Sequence, residues 1–182
     1  MNTDFTAVKA ALASDGVIAY PTEAVFGLGC DPFSDVALNR ILAMKGREAH
    51  KGFILIAASQ AQLTPYLAPL SLQWQAQLEA AWPGPVTFVL PASSAASELL
   101  TGGRDTLAVR VSAHPQVIEL CTAVGHALVS TSANRSGSQA LRSSIEVRQE
   151  FGSSIDVVVD GDVGTLDAPT RIIDIRTGQQ LR

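Results

Sequence analysis

Only two cysteines occur in the 182 residues. Cys30 and Cys121 stand far apart, with no CxxC or Cys/His spacing around them. A disulfide framework and a metal site are therefore disfavoured, and each cysteine reads as a small apolar filler. Charge is also sparse: charged residues make up 16 % of the chain and leave a net charge of -4. Whole-surface binding to nucleic acid depends on neutralising phosphates and is disfavoured by that balance, whereas a local basic patch is not. No apolar run approaches the roughly 20 residues that span a bilayer. Residues 1–16 mix Asp4, Lys9 and Asp15 with scattered apolar positions, so they lack the basic start and continuous apolar stretch of an export signal. Together these absences predict a cytoplasmic protein with no membrane association. The GxxxxGK[ST] phosphate loop, the GxGxxG fingerprint, the GxSxG elbow and HExxH are all missing. Any nucleotide is thus bound by an uncommon route.

What is present is a strong apolar framework. Hydrophobic residues are 47 % of the chain, and a chain of this length buries about 70 % of its unfolded surface. Residues 6–14 place Ala7, Val8, Ala11 and Leu12 on one helical face, and the β-branched run 17–20, bounded by Gly16 and Pro21, reads as a buried strand. A helix opened by Ser34 or Asp35 carries Ala37, Leu38, Ile41 and Leu42 inward. A strand over 53–57 follows, then helices over 60–66 and 70–81, the second stopped by Trp82-Pro83-Gly84-Pro85. Strands over 86–90 and 107–111 flank a small, polar, Gly-rich stretch, 91–105, that reads as a mobile surface loop. Pro115 starts a helix that runs to Gly125; a strand over 127–129, a helix over 144–151 capped by Ser144, a strand over 157–159 and a closing stretch over 169–175 complete the chain. About seven strands alternate irregularly with helices, which predicts α/β architecture with α+β character: one domain, 1–182, around a twisted mixed sheet.

The polar chemistry falls at the ends of these strands. Ser130, Thr131, Ser132 and Asn134 form the densest set of hydroxyl and amide side chains. They can be a turn whose side chains bond nearby backbone, or the wall of a site for an oxygen-rich ligand. Thr22-Glu23 follows a buried strand and fits either a ligand site at the strand's carboxyl end or the cap of a following helix. Lys45, Arg47 and Lys51 lie within seven residues, at a helix C-terminus whose dipole they complement and at the entrance to a strand. Arg110 interrupts an apolar strand, so either a carboxylate of this protein or an anionic ligand must meet it. Thr170-Arg171 stands near the last strand. His114 reads as a capping or surface residue, and His50 and His126 receive no catalytic role. If these pieces meet at one sheet edge, they form a cavity rich in cations and hydroxyls that suits phosphate and carboxylate together.

One ordered set of residues is specific. Tyr20-Pro21-Thr22-Glu23 with Gly27-Leu28-Gly29, Lys45-x-Arg47, Lys51-Gly52, Trp82-Pro83-Gly84-Pro85-Val86-Thr87, Val109-Arg110-Val111, His114-Pro115 and Ser130-Thr131-Ser132-Ala133-Asn134-x-Ser136-Gly137 resembles the YrdC-type threonylcarbamoyl-AMP synthases. The resemblance implies the short bacterial form, with a YrdC-like fold and a nucleotidyltransferase activity. L-threonine, bicarbonate or carbon dioxide, and ATP as substrate would give threonylcarbamoyl-adenylate and diphosphate, with Mg2+ expected. The adenylate would pass to partner proteins that modify the adenosine beside the anticodon of certain tRNAs. By the same resemblance, Lys45, Arg47, Ser130, Ser132 and Asn134 are implied to bind ATP, and Thr22, Arg110 and Thr170 threonine. Lys45, Arg47 and Arg110 would carry the catalysis, and no side chains are assigned to a metal. Lys45→Ala and Arg47→Ala are each expected to abolish most turnover with little loss of folding. One departure is Glu48, where the family commonly has Pro; it either pairs with Lys51 or weakens the phosphate site. Two rival functions are a noncatalytic RNA-binding module using the same cations and a sugar-phosphate enzyme of the riboflavin-precursor type.

Overall fold

The structure is a computed structural model that describes residues 5–182. Residues 1–4, which include Asp4 of the stretch read for an export signal, lie outside the described residues.

The chain opens with α1 (Thr6–Ala13), then β1 (Ile18–Pro21), whose four residues are all buried. The next element corrects one sequence reading. Thr22 and Glu23 cap no helix; they turn the chain into a second strand, β2 (Phe26–Gly29), antiparallel to β1. Two glycines in four residues lower strand propensity and hide it. Gly29 is there for a close approach: a Cβ would lie 2.7 Å from the Tyr20 ring, and closer still to the Val129 carbonyl oxygen. That carbonyl accepts the Tyr20 hydroxyl at 2.9 Å. Gly29→Ala is accordingly expected to cost about 1–3 kcal/mol, the usual range for overpacking, seen as a lower urea midpoint.

Six further strands complete the sheet: β3 (Ile54–Ala57), β4 (Val86–Pro91), β5 (Thr106–Val111), β6 (Leu128–Ser132), β7 (Val157–Val158) and β8 (Arg171–Asp174). Their order is β7-β1-β2-β6-β3-β5-β4-β8, with β1/β7, β3/β5 and β4/β8 parallel and the other pairs antiparallel. The α/β reading with a mixed sheet therefore holds. Successive strand residues point to opposite faces, and the core divides accordingly. Leu55, Val109 and Val129 pack with Leu38 and Ile41 of α2 (Asp35–Lys45) and Leu78 of α3 (Leu72–Ala81). Ile56 and Leu128 pack with Val8 and Leu12 of α1 and with Val117 and Leu120 of α5 (Pro115–Val124). A third cluster seats Val147 of α6 (Ser144–Phe151) on Ala19 and Leu28.

Other boundaries moved for local reasons. Residues 91–105 are not wholly loop: α4 (Glu98–Thr101), capped by Ser97, buries Leu100 and Thr101, and one turn is too short to show a period. Residues 60–66 form two 3-10 turns rather than one helix. The cap of α6 is Ser143, which forms a reciprocal capping box with Glu146. Both cysteines are free and buried; burial pushes both thiols up, Cys121 to about 12, so neither is a thiolate near neutral pH. No helix among the described residues is long and apolar enough to cross a membrane.

Candidate functional site

The sheet face that carries Ile56 and Leu128 is only partly covered by helices. Ile54 pairs with Ser130, and Gly27 with Ser132, beside that covered patch. Here a cavity of about 190 Å³ opens, lined among others by Thr22, Gly27, Arg47, Arg110, Ser130, Ser132, Thr170 and Arg182. Six of the eight residues singled out from sequence therefore meet in one place, contributed by the β1–β2 turn, the loop after α2, β5, β6 and the segment before β8. The other two, Lys45 and Asn134, stand behind Ser132 as its support.

Arg110 forms the buried corner of the cavity. Its side chain is 6 % exposed, and one Nη donates to Thr170 Oγ1 at 2.8 Å and to Thr87 Oγ1 at 3.0 Å. The other Nη meets Glu23 Oε2 at 3.2 Å, and the second Glu23 oxygen accepts the Ser112 hydroxyl at 2.6 Å. Of the two partners left open by the sequence, the protein's own carboxylate is the one seen. The guanidinium Nε remains buried without a partner. Thr22 spends its hydroxyl proton on the Val25 carbonyl, 2.7 Å away, so it closes the β1–β2 turn while lining the cavity.

The polar loop is a turn, and two of its hydroxyl residues, Ser130 and Ser132, line the cavity. Lys45 is 4 % exposed at the end of α2. Its ammonium donates to the Ser132 carbonyl, to the Asn134 carbonyl at 2.8 Å and to Asn134 Oδ1 at 3.2 Å. Asn134 in turn accepts the Ser132 hydroxyl at 2.6 Å and gives its amide hydrogens to the carbonyls of Arg135 and Ser138. The loop is thus wound around one buried cation, which presents Ser130 and Ser132 to the cavity. Burial, reinforced by the neighbouring Arg47 charge, pushes Lys45 down to about 8. Because the folded pKa lies below the unfolded one, this group contributes rising stability as pH climbs from about 8 through its unfolded value. The ammonium charge is lost over the same window, so affinity for an anionic ligand is expected to fall above pH 8. Ligand KM measured across pH 7 to 9.5 checks this, and a Lys45→Met variant should not show that inflection.

Arg47 donates to the Gly52 carbonyl at 3.0 Å and lies over the Phe53 ring at 5.8 Å, while its Nε is buried and unpartnered. Burial pushes its guanidinium pKa down, as do Arg104 and Arg182 nearby. Arg182 holds the Thr170 carbonyl with two donors at 3.2 and 3.3 Å, and its pKa is lowered by burial and by Arg110. Of these four arginines, Arg110 alone has a carboxylate partner among the described residues. Such a concentration of cations is unfavourable until an anion joins it. Glu48, the departure from the family pattern, turns to Lys51 at 3.2 Å, which holds its carboxyl below the usual carboxylate range.

Glu23, Thr87, Ser112 and Arg182 were not assigned from sequence. Arg110 announced that it needed a partner, and Glu23 stood in a noticed motif; Arg182, at the far end of the chain, carried no local signal. Arg171, adjacent to Thr170, is exposed and does not line the cavity. His114 contacts the Asp162 carbonyl at 3.2 Å through Nε2, a tether for the 160–168 segment in place of a side-chain cap.

Comparison with known proteins shows which family the chain resembles. The profile of the Sua5/YciO/YrdC family, described as "Telomere recombination", matches residues 10–182. A threonylcarbamoyl-AMP synthase of Halorhodospira halophila is 56 % identical over 95 % of this chain and 91 % of its own. One from Nitrosococcus oceani is 55 % identical over 92 % of this chain and 90 % of its own. Among solved structures, P. abyssi Sua5 complexed with L-threonine superposes with a TM-score of 0.88 at 31 % identity, covering 95 % of this chain; this chain spans 51 % of that one. E. coli YciO gives a TM-score of 0.78 at 26 % identity, over 92 % of this chain and 81 % of its own. With the family profile matched across nearly all of its length, the chain belongs to the Sua5/YciO/YrdC family.

Proposed function

We propose that this chain is a threonylcarbamoyl-AMP synthase, acting as one YrdC-like domain in the cytoplasm. The observation that carries the reading is the meeting, in one cavity, of a buried Arg110–Thr170 corner with the Arg47 and Ser130–Ser132 wall. The names of relatives at 55–56 % identity and the L-threonine in the Sua5 complex support it. In this reading Arg110, Thr22 and Thr170 receive the amino acid, with the guanidinium suited to its carboxylate. Arg47, Ser130 and Ser132 receive the ATP phosphates, and Lys45 and Asn134 hold that wall in place while adding positive charge. The threonine amine adds to carbon dioxide and gives up one N–H proton to solvent to become a carbamate; where bicarbonate is the source, water leaves. One carbamate oxygen then attacks the α-phosphorus; the bond to the bridging oxygen of the β-phosphate breaks, and diphosphate leaves. Two anions must approach each other in that step, so Lys45, Arg47 and Arg110 act by lowering the repulsion and the charge that builds on the phosphoryl group.

Mg2+ would arrive with the nucleotide and neutralise phosphate charge. The residues present do not build a cage for it: no cluster of three or more His, Cys, Asp or Glu side chains among the described residues could hold a metal ion, and no step here depends on one. The adenylate would be handed to partner proteins that complete the tRNA modification. The noncatalytic RNA-binding reading is not favoured. Incubation with ATP, L-threonine, bicarbonate and magnesium is expected to release diphosphate, and omission of threonine or bicarbonate to stop it; release that ignores threonine would overturn the reading.

A further inference from the structure

Glu23 joins three walls of the cavity without lining it. Its carbonyl accepts from Leu166 N at 3.2 Å, and the Thr22 carbonyl accepts from Gly164 N at 2.9 Å. These bonds clip the 160–168 segment onto the β1–β2 turn, just ahead of Pro169 and Thr170. A Cβ on Gly164 would fall 2.6 Å from the Glu23 carbonyl oxygen, so the two backbones are as close as glycine permits. The Glu23 side chain, 9 % exposed, then reaches Arg110 on β5 and the Ser112 hydroxyl just beyond that strand. Ser112 Oγ also accepts from His114 N at 3.0 Å, which leaves its proton to point at Glu23.

Arginine is a long side chain with many rotamers. The hydroxyls of Thr87 and Thr170 are rotating dipoles that accept a guanidinium in several orientations, whereas an anchored carboxylate selects one. The geometry points to Glu23 as a positioning residue for the reaction: it fixes the direction in which Arg110 is offered to a carboxylate-bearing substrate. This rests on reading the cavity as the site for threonine and ATP.

Glu23→Gln in the full chain keeps the shape and loses the charge. Its KM for threonine is expected to rise about tenfold, the worth of one charge-assisted hydrogen bond, while KM for ATP stays near wild type. Ser112→Ala, which frees one Glu23 oxygen, should raise KM for threonine less. A merely structural role would reduce the folded fraction and leave the two KM values in their wild-type ratio; that result, or an unchanged KM for threonine in folded Glu23→Gln, overturns the proposal. Side-chain 15N NMR gives a readout independent of turnover. The Arg110 Nη signals, assigned by their loss in Arg110→Lys, should be resolved in the wild type because the ion pair slows rotation about Nε–Cζ, and averaged in Glu23→Gln. Identical spectra overturn the positioning role, whereas absence of threonine-dependent diphosphate release from the wild type overturns the reaction and leaves the NMR comparison standing.

Discussion

Arg110→Ala is expected to lower the unfolding free energy by about 3–5 kcal/mol, the usual result of stripping one partner from a buried ion pair, and to abolish threonine-dependent turnover. Glu23 would keep only the Ser112 hydroxyl as a side-chain partner, and the Thr87 and Thr170 hydroxyls would lose their common donor. In a chain of this size the thermal midpoint should drop by on the order of 10 °C. Loss of folding could by itself explain loss of activity, so the informative variant changes both partners. Glu23→Met with Arg110→Met removes the two charges together, and replacing a buried pair by apolar groups of similar volume is often neutral or stabilising. The double variant should recover most of the stability, measured by urea unfolding, and none of the turnover. Recovery of turnover along with stability would remove Arg110 from the site.

Arg47→Ala should behave in the opposite way. Among the described residues its side chain makes one hydrogen bond, to the Gly52 carbonyl, and alanine keeps the backbone bond from Arg47 N to the Leu42 carbonyl, so stability should change by only about 1 kcal/mol. Turnover should fall by about 10²- to 10³-fold, the scale of removing one donor aimed at developing charge. Lys45→Ala departs from the expectation drawn from sequence, that folding would hardly suffer. Three loop oxygens lose the Lys45 ammonium at once; the Ser132 carbonyl keeps Asn134 N at 3.0 Å and Asn134 Oδ1 keeps the Ser132 hydroxyl at 2.6 Å, so the loss falls chiefly on the Asn134 carbonyl, at about 1–3 kcal/mol. Stability and turnover should therefore both drop for Lys45→Ala, and turnover chiefly for Arg47→Ala. A urea series beside steady-state kinetics separates the two cases.

The contrast between those lysine and arginine variants shows what the sequence could convey. The family resemblance marked Lys45 and Arg47 as candidates for one phosphate site, and the alternation of apolar runs marked the sheet that carries them. Direction was not legible. At the C-terminus of α2, Lys45 faces inward among the carbonyls of the 132–134 loop, while Arg47, beyond the left-handed Gly46, faces the cavity. Arg110 was legible as a demand for a partner, because a charge within an apolar strand is costly alone. Its partner came from 87 residues away, across the sheet, a distance that local spacing does not report. β2 stayed hidden because Gly27 and Gly29 carry no side chains to form a strand pattern, although Gly29 is what lets Tyr20 lie against the neighbouring strand. Ser130 to Asn134 raised the choice between turn and binding wall; the loop is a turn built on Lys45, and the same turn leaves Ser130 and Ser132 lining the cavity.

The most direct test follows the carbon. Wild-type protein given 14C-bicarbonate, L-threonine, ATP and magnesium should convert the label into a product that also contains the adenosine monophosphate of ATP, with one diphosphate released per labelled carbon. Arg47→Ala should form it far more slowly. Diphosphate released without any 14C in the nucleotide product, or a labelled product that forms without threonine, would contradict the assignment of this cavity to threonylcarbamoyl-adenylate synthesis.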